Sequence, residues 1–253
     1  MNRSRIVDEL SASVQHLVQT ATKKAGTILG PALEGIYLYG SAVRGEYLEG
    51  RSNVNLLLVL TEVTGERMRT LAPLAAAWRK DQVAALIVGL DELAQWPTTF
   101  PIETSEVAED RVLLAGRDSL ATLRPDTDHL AQALVRESRA IVVRLRQRYI
   151  EGGASTETAM ILIALSVASL GAVARTALRL WDEPSQPTTE AALTRVAARL
   201  GLDPIPYTEG WAVRCGRLGP GQLEIPRLFD RYLGGLVAFA DAMAKGAAVQ
   251  VTR

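Results

Sequence analysis

Apolar residues at Ile6, Leu10, Val14, Leu17, Ala21 and Ile28 recur at helical spacings and predict a first helix. Gly30-Pro31 closes it, because glycine takes the cap and proline cannot continue the turn. Short β-rich runs follow. Gly35 to Tyr39, Val54 to Leu60 and Val83 to Val88 are predicted strands, with a helix between the last two from about Glu66 to Lys80. Phe100 to Val107 and Arg111 to Leu114 are predicted as two further strands.

The rhythm changes at Arg124-Pro125-Asp126, after which every periodic stretch is helical. Asp126 or Asp128 can cap a long helix carrying Leu130, Leu134, Ile141, Leu145 and Tyr149, and Gly152-Gly153 breaks it. Thr156 starts the next helix, which runs to about Trp181. Residues 189 to 201 form a shorter one, and Pro226 opens a last one to about Lys245. Pro184 to Pro187 and the Pro/Gly-rich segment from Pro204 to Gly221 are loops by composition. The pattern predicts an α/β domain over residues 1–123, a mixed sheet with flanking helices, and an all-α helical bundle over residues 124–253.

Composition narrows the setting. The 28 acidic and 28 basic side chains cancel, so no positive excess advertises nucleic acid or an anionic membrane as partner. Cys215 is the only cysteine, which excludes an intrachain disulfide and fits a reducing, cytoplasmic interior. The longest apolar run, Ala159 to Ala174, falls short of the ~20 residues of a membrane span and contains Ser166, Ser169 and Gly171, so a buried bundle helix is expected there.

The stretch "YLYGSAVRGEYLEGRSNVNLLLVL", Tyr37 to Leu60, carries the candidate chemistry. A strand ending in Tyr39 meets Gly40-Ser41 and then what reads as a helix start. Glycine permits close backbone approach, helix-terminal amides attract phosphate, Ser41 can donate a hydroxyl, and Arg44 can pair a phosphate charge. Asn53 and Asn55 are two apart on the second strand, hence on one face, with Val54, Leu56, Leu58 and Leu60 on the other. A carboxylate pair at that spacing would chelate Mg²⁺ between protein and triphosphate.

The order Gly-Ser, eleven residues containing Arg-Gly, then Asn-Val-Asn-Leu-Leu-Leu-Val resembles the nucleotidyltransferase superfamily, the polymerase-beta-like fold shared with aminoglycoside and minimal nucleotidyltransferases. The segment "WPTTFPIETSEVAEDRVLLAGRDSL" is similar to the later part of that family's domain. The resemblance implies two metal-binding aspartates after the gap, where this chain has Asn53 and Asn55, and a third carboxylate on a later strand, for which Glu103 is the candidate ahead of Glu106. It also implies nucleotide binding at Gly40, Ser41 and Arg44.

Asparagine brings an amide oxygen and no charge, and Mg²⁺ gives up its water reluctantly without carboxylates. The expectation is therefore a protein with the architecture and without the transfer chemistry. It would have no metal cofactor and would act by binding a nucleotide such as ATP, a protein partner or a second copy of itself. An active transferase, with Glu103 and Glu46 or Glu49 supplying charge, Mg²⁺ as cofactor and a small molecule or protein as acceptor, is the alternative; an interaction module through the helical domain is another.

Other features have ordinary readings. Arg136, Arg139, Arg144, Arg146 and Arg148 surround their helix rather than line one face. His16 and His129 lack ligands at metal spacing, and Cys215 lacks a nucleophile's context. Trp181, Tyr207 and Trp211 fit packing over a core better than a ligand pocket.

Overall fold

In the computed structural model, residues 10–219 and 224–250 are described. The chain divides at Pro125/Asp126 into two compact units, Met1–Pro125 and Asp126–Arg253.

The first unit is built on a four-stranded mixed sheet in the order β3-β2-β1-β4, with β1 Leu33–Tyr39, β2 Val54–Leu60, β3 Val83–Gly89 and β4 Arg111–Gly116. β1 runs antiparallel to both β2 and β4, while β2 and β3 are parallel. The parallel step needs a crossover, supplied by helix α2, Gly65–Lys80, whose N-cap Thr64 accepts the Arg67 amide at 3.2 Å.

Both sheet faces are covered, so the strands read as near-continuous apolar runs. One face sets Ile36, Leu38, Leu56, Leu58 and Leu60 against helix α1, Ala12–Leu29, and the Leu71, Leu74 and Trp78 stripe of α2. On the other face, Tyr37, Leu57, Val59 and Val88 lie under three short helices: α3 Leu90–Leu93, α4 Trp96–Thr99 and α5 Pro101–Glu109. α1 buries Val14, Val18, Ala21, Ala25 and Leu29, a stripe rotated from the predicted one; Ile28 is exposed, and Ile6 lies outside the described residues.

Two expectations fail here. Pro101 to Val107 is helical, with Phe100 as its cap, because Pro101 at the first turn has the φ a helix needs and the buried positions Pro101, Thr104, Ser105 and Val107 follow a helical spacing. Thr104 and Ser105 hide that stripe from a hydrophobicity reading. The segment after Pro204 likewise contains a helix, α9, Ile205–Arg214, again with proline in its first turn and with Tyr207, Gly210, Trp211 and Val213 buried. The end of that segment, Pro220 and Gly221, lies outside the described residues.

The second unit is all-helical: α6 Thr127–Glu151, α7 Thr156–Leu180, α8 Thr189–Arg199, α9, and α10 Ile225–Gln250. Asp126 caps α6 by accepting the His129 amide at 3.0 Å, and Ser155 caps α7 through Thr158 at 3.1 Å. α7 is central, touching α6, α8, α9 and α10. At 25 residues it is long and apolar enough to cross a membrane by composition, longer than the apolar run alone implied. Within the bundle, however, it buries Ile163, Val167, Leu170, Ala174 and Leu178, as a core helix does.

Candidate functional site

β1 ends at Tyr39, paired across the sheet with Asn55 on one side and Arg111 on the other. The chain then turns sharply. Gly40 has φ +81°, and its carbonyl accepts the amides of Val43 at 3.0 Å and Arg44 at 3.2 Å. A Cβ at Gly40 would sit 3.0 Å from the Asn55 Nδ2, so both the backbone angle and the approach of Asn55 call for glycine. The turn is anchored from below by the Gly40 amide, which donates to the Asp110 carbonyl at 3.2 Å.

Only a single 3₁₀ turn, Gly40–Ala42, follows, not the predicted helix start. A turn this short carries little macrodipole, so any anion would be held by individual amides and by Ser41 rather than by a helix end. The Ser41 side chain is half-buried and its hydroxyl has no protein partner among the described residues.

Asn53 and Asn55 flank Val54, which is fully buried on the opposite face. Asn53 is exposed and Asn55 half-buried. The loop that delivers them is closed by Ser52, whose hydroxyl accepts the Leu48 amide at 3.1 Å while its own amide donates to the Leu48 carbonyl at 2.7 Å. Ser52 is almost wholly buried, and its role is to shape this loop.

Glu103 is on the first turn of α5 rather than on a strand, and its side chain is exposed. It nevertheless reaches the same face. The Tyr39 phenol is pushed up from its ordinary value first by burial and then by the Glu103 carboxylate, so Glu103, Tyr39 and the strand partner Asn55 form one neighbourhood.

Arg44 is committed elsewhere. Its guanidinium meets Asp110 at 3.2 Å, Glu46 at 3.4 Å and Glu106 at 3.5 Å, all partly buried. This ion cluster ties the Gly40 turn to α5 and the start of β4. A phosphate at Arg44 would compete with three carboxylates. Glu106, the second candidate for the third carboxylate, belongs to this cluster.

The structure thus brings Gly40, Asn55 and Glu103 together with Tyr39, places Asn53 at the exposed mouth of β2, and turns Arg44 toward acids. Tyr39, Ser52 and Asp110 were not singled out from sequence. The alternation of β1 puts Tyr39 on the face of Tyr37, and that was the available signal; Asp110 offered none. Among the described residues, no group of three or more His, Cys, Asp or Glu comes together in a way that could hold a metal ion. Two neutral amides and one carboxylate are a poor donor set for Mg²⁺, and the site does not fit that ion.

The likeness to a solved structure shows a nucleotidyltransferase fold, a mixed sheet with flanking helices and an all-helical unit. Among solved structures the chain is similar to spectinomycin adenyltransferase AAD(9) from Enterococcus faecialis, determined with ATP and spectinomycin. The TM-score is 0.58 at 15% identity, covering 87% of this chain and 98% of that one. No family's sequence profile matches the chain, and no curated protein matches it in sequence.

Proposed function

We propose that this protein has the nucleotidyltransferase architecture without the transfer reaction and works by binding, with a nucleotide's phosphates at the Gly40–Ser41 turn. The observation that carries this is the neutral pair at the mouth of β2. Asn55 contacts the turn where a triphosphate would approach, yet neither it nor Asn53 adds negative charge. Phosphoryl transfer relies on metal ions bridging phosphate oxygens and neutralising developing charge, and such ions need anionic anchors from the protein. Of the remaining acids, Glu106 and Asp110 face Arg44, which leaves Glu103 as a single carboxylate beside two neutral amides. The free Ser41 hydroxyl and the open turn support nucleotide as the ligand, as does the ATP bound to the similar adenyltransferase. A single cysteine fits a cytoplasmic setting.

Titration calorimetry with ATP in EDTA and then in magnesium tests the reading. The expected result is saturable binding whose affinity changes less than about threefold with Mg²⁺. A requirement of more than about tenfold, or ~1.4 kcal/mol, would place a functional metal site here and overturn it.

A protein partner or second copy is a further reading, favoured by the apolar side chains that α6 and α7 leave exposed. Val143 is 60% exposed, Ile150 76%, Ile161 51% and Leu165 52%. Size exclusion with light scattering decides whether the chain self-associates.

A further inference from the structure

The first unit holds a second feature, which shares Glu103 with the neighbourhood of the phosphate-facing turn. Where edge strand β3 runs under α4 and α5 there is a cavity of about 500 Å³. Its floor is Leu86 and Val88, and its wall is the edge-to-face pair Trp96 and Phe100, with ring centroids 6.1 Å apart. Phe100 is 52% exposed, an unusual placement for a phenylalanine that nothing in the unit covers among the described residues. The charged side chains lining the cavity are both acidic, Glu92 and Glu103.

The two acids are not equivalent. Glu92 is spent on the fold, its carboxylate accepting the Gly89 amide at 2.7 Å to cap α3. Glu103 forms no ion pair among the described residues, and the residues lining the cavity include no lysine, arginine or histidine. An uncompensated carboxylate beside two aromatic rings and an aliphatic floor matches one ligand chemistry well. A positive charge gains from the carboxylate and from the exposed Phe100 ring, while an apolar body covers Leu86; Trp96 and Val88, both nearly buried, back the cavity. An anion is repelled, and a neutral apolar molecule leaves Glu103 without a partner.

We propose that this cavity binds a small organic cation, a primary or quaternary ammonium carried on an apolar or aromatic body, with Glu103 as the charge partner and Trp96 and Phe100 as the aromatic wall. The proposal stands whether or not the Gly40 turn takes nucleotide, and its test contains no nucleotide.

Three probes with a common phenethyl body vary the charge at its end: phenethylammonium, 2-phenylethanol and 3-phenylpropionate, titrated into the full chain at low salt and followed by calorimetry. Phenethylammonium is expected to bind about tenfold more tightly than the alcohol, with no saturation by the carboxylate. Glu103→Gln should bring the ammonium down to the alcohol's affinity and leave the alcohol unchanged. Phe100→Ala should weaken both. Both side chains are exposed, and circular dichroism confirms that the variants fold. Equal affinity of the ammonium and alcohol, an ammonium preference that survives Glu103→Gln, indifference to Phe100→Ala, or no saturation by any probe at millimolar concentration would overturn the proposal.

Discussion

Replacing both amides by carboxylates, Asn53→Asp with Asn55→Asp, puts the central argument to a quantitative test. Two residues apart on an extended strand with a rise of ~3.3 Å each, the new charges lie ~6.6 Å from one another on one face. Coulomb's law gives a repulsion of about 0.6 kcal/mol at the dielectric of water and about 2.5 kcal/mol at an effective value of 20, a fair range for an exposed Asn53 and a half-buried Asn55. Each single variant lacks that term. In urea unfolding at low salt with EDTA, the double variant should therefore be less stable than the sum of the singles by ~0.6–2.5 kcal/mol. Magnesium should then reverse the sign of the effect. An ion held at a Kd of ~0.5 mM and supplied at ~5 mM stabilises the double variant by ~1.4 kcal/mol, while the asparagine protein stays where it was. Additivity of the singles within ~0.3 kcal/mol would show that the two positions do not share a face. Stabilisation of the asparagine protein by the same magnesium would show that amides suffice, and the neutrality argument would fall.

Two other outcomes follow from the described geometry. Arg44→Met removes the common cation of Glu46, Glu106 and Asp110 from a partly buried site and should cost about 1–3 kcal/mol in denaturant unfolding, loosening the Gly40 turn; a neutral result would mean the cluster is merely a surface contact. Alkaline pH should destabilise the fold, because burial pushes the phenols of Tyr37, Tyr39, Tyr207 and Tyr232 up from their ordinary value. Such groups contribute full stability below the unfolded pKa of ~10 and lose it as pH rises through the folded value. Urea midpoints should be flat to about pH 10 and fall beyond it, less steeply in Tyr39→Phe; an unchanged slope would remove Tyr39 from the set.

Local chemistry determined much of this molecule. β2, Val54–Leu60, matches its predicted limits because an unbroken apolar run flanked by turn residues has few alternatives, and Gly30-Pro31 stops α1 as such a pair must. The Gly-Ser turn and the asparagine pair were visible as spacing alone. What spacing could not show was which groups meet. Phe100 to Val107 alternates enough to pass for a strand, and only the sheet face waiting beneath it decides that Thr104 and Ser105 are its buried positions and that it is a helix from Pro101 on. Arg44 was a plausible phosphate ligand until folding brought Glu106 and Asp110, more than sixty residues away, against its guanidinium. Glu103 keeps its carboxylate near Tyr39 on a different element from the one expected. Secondary structure follows from forces acting over a few residues, so the chain reports it directly. The pairing of charges and the lining of a cavity depend on contacts between distant segments, which form only when burial of both sheet faces has fixed where those segments lie.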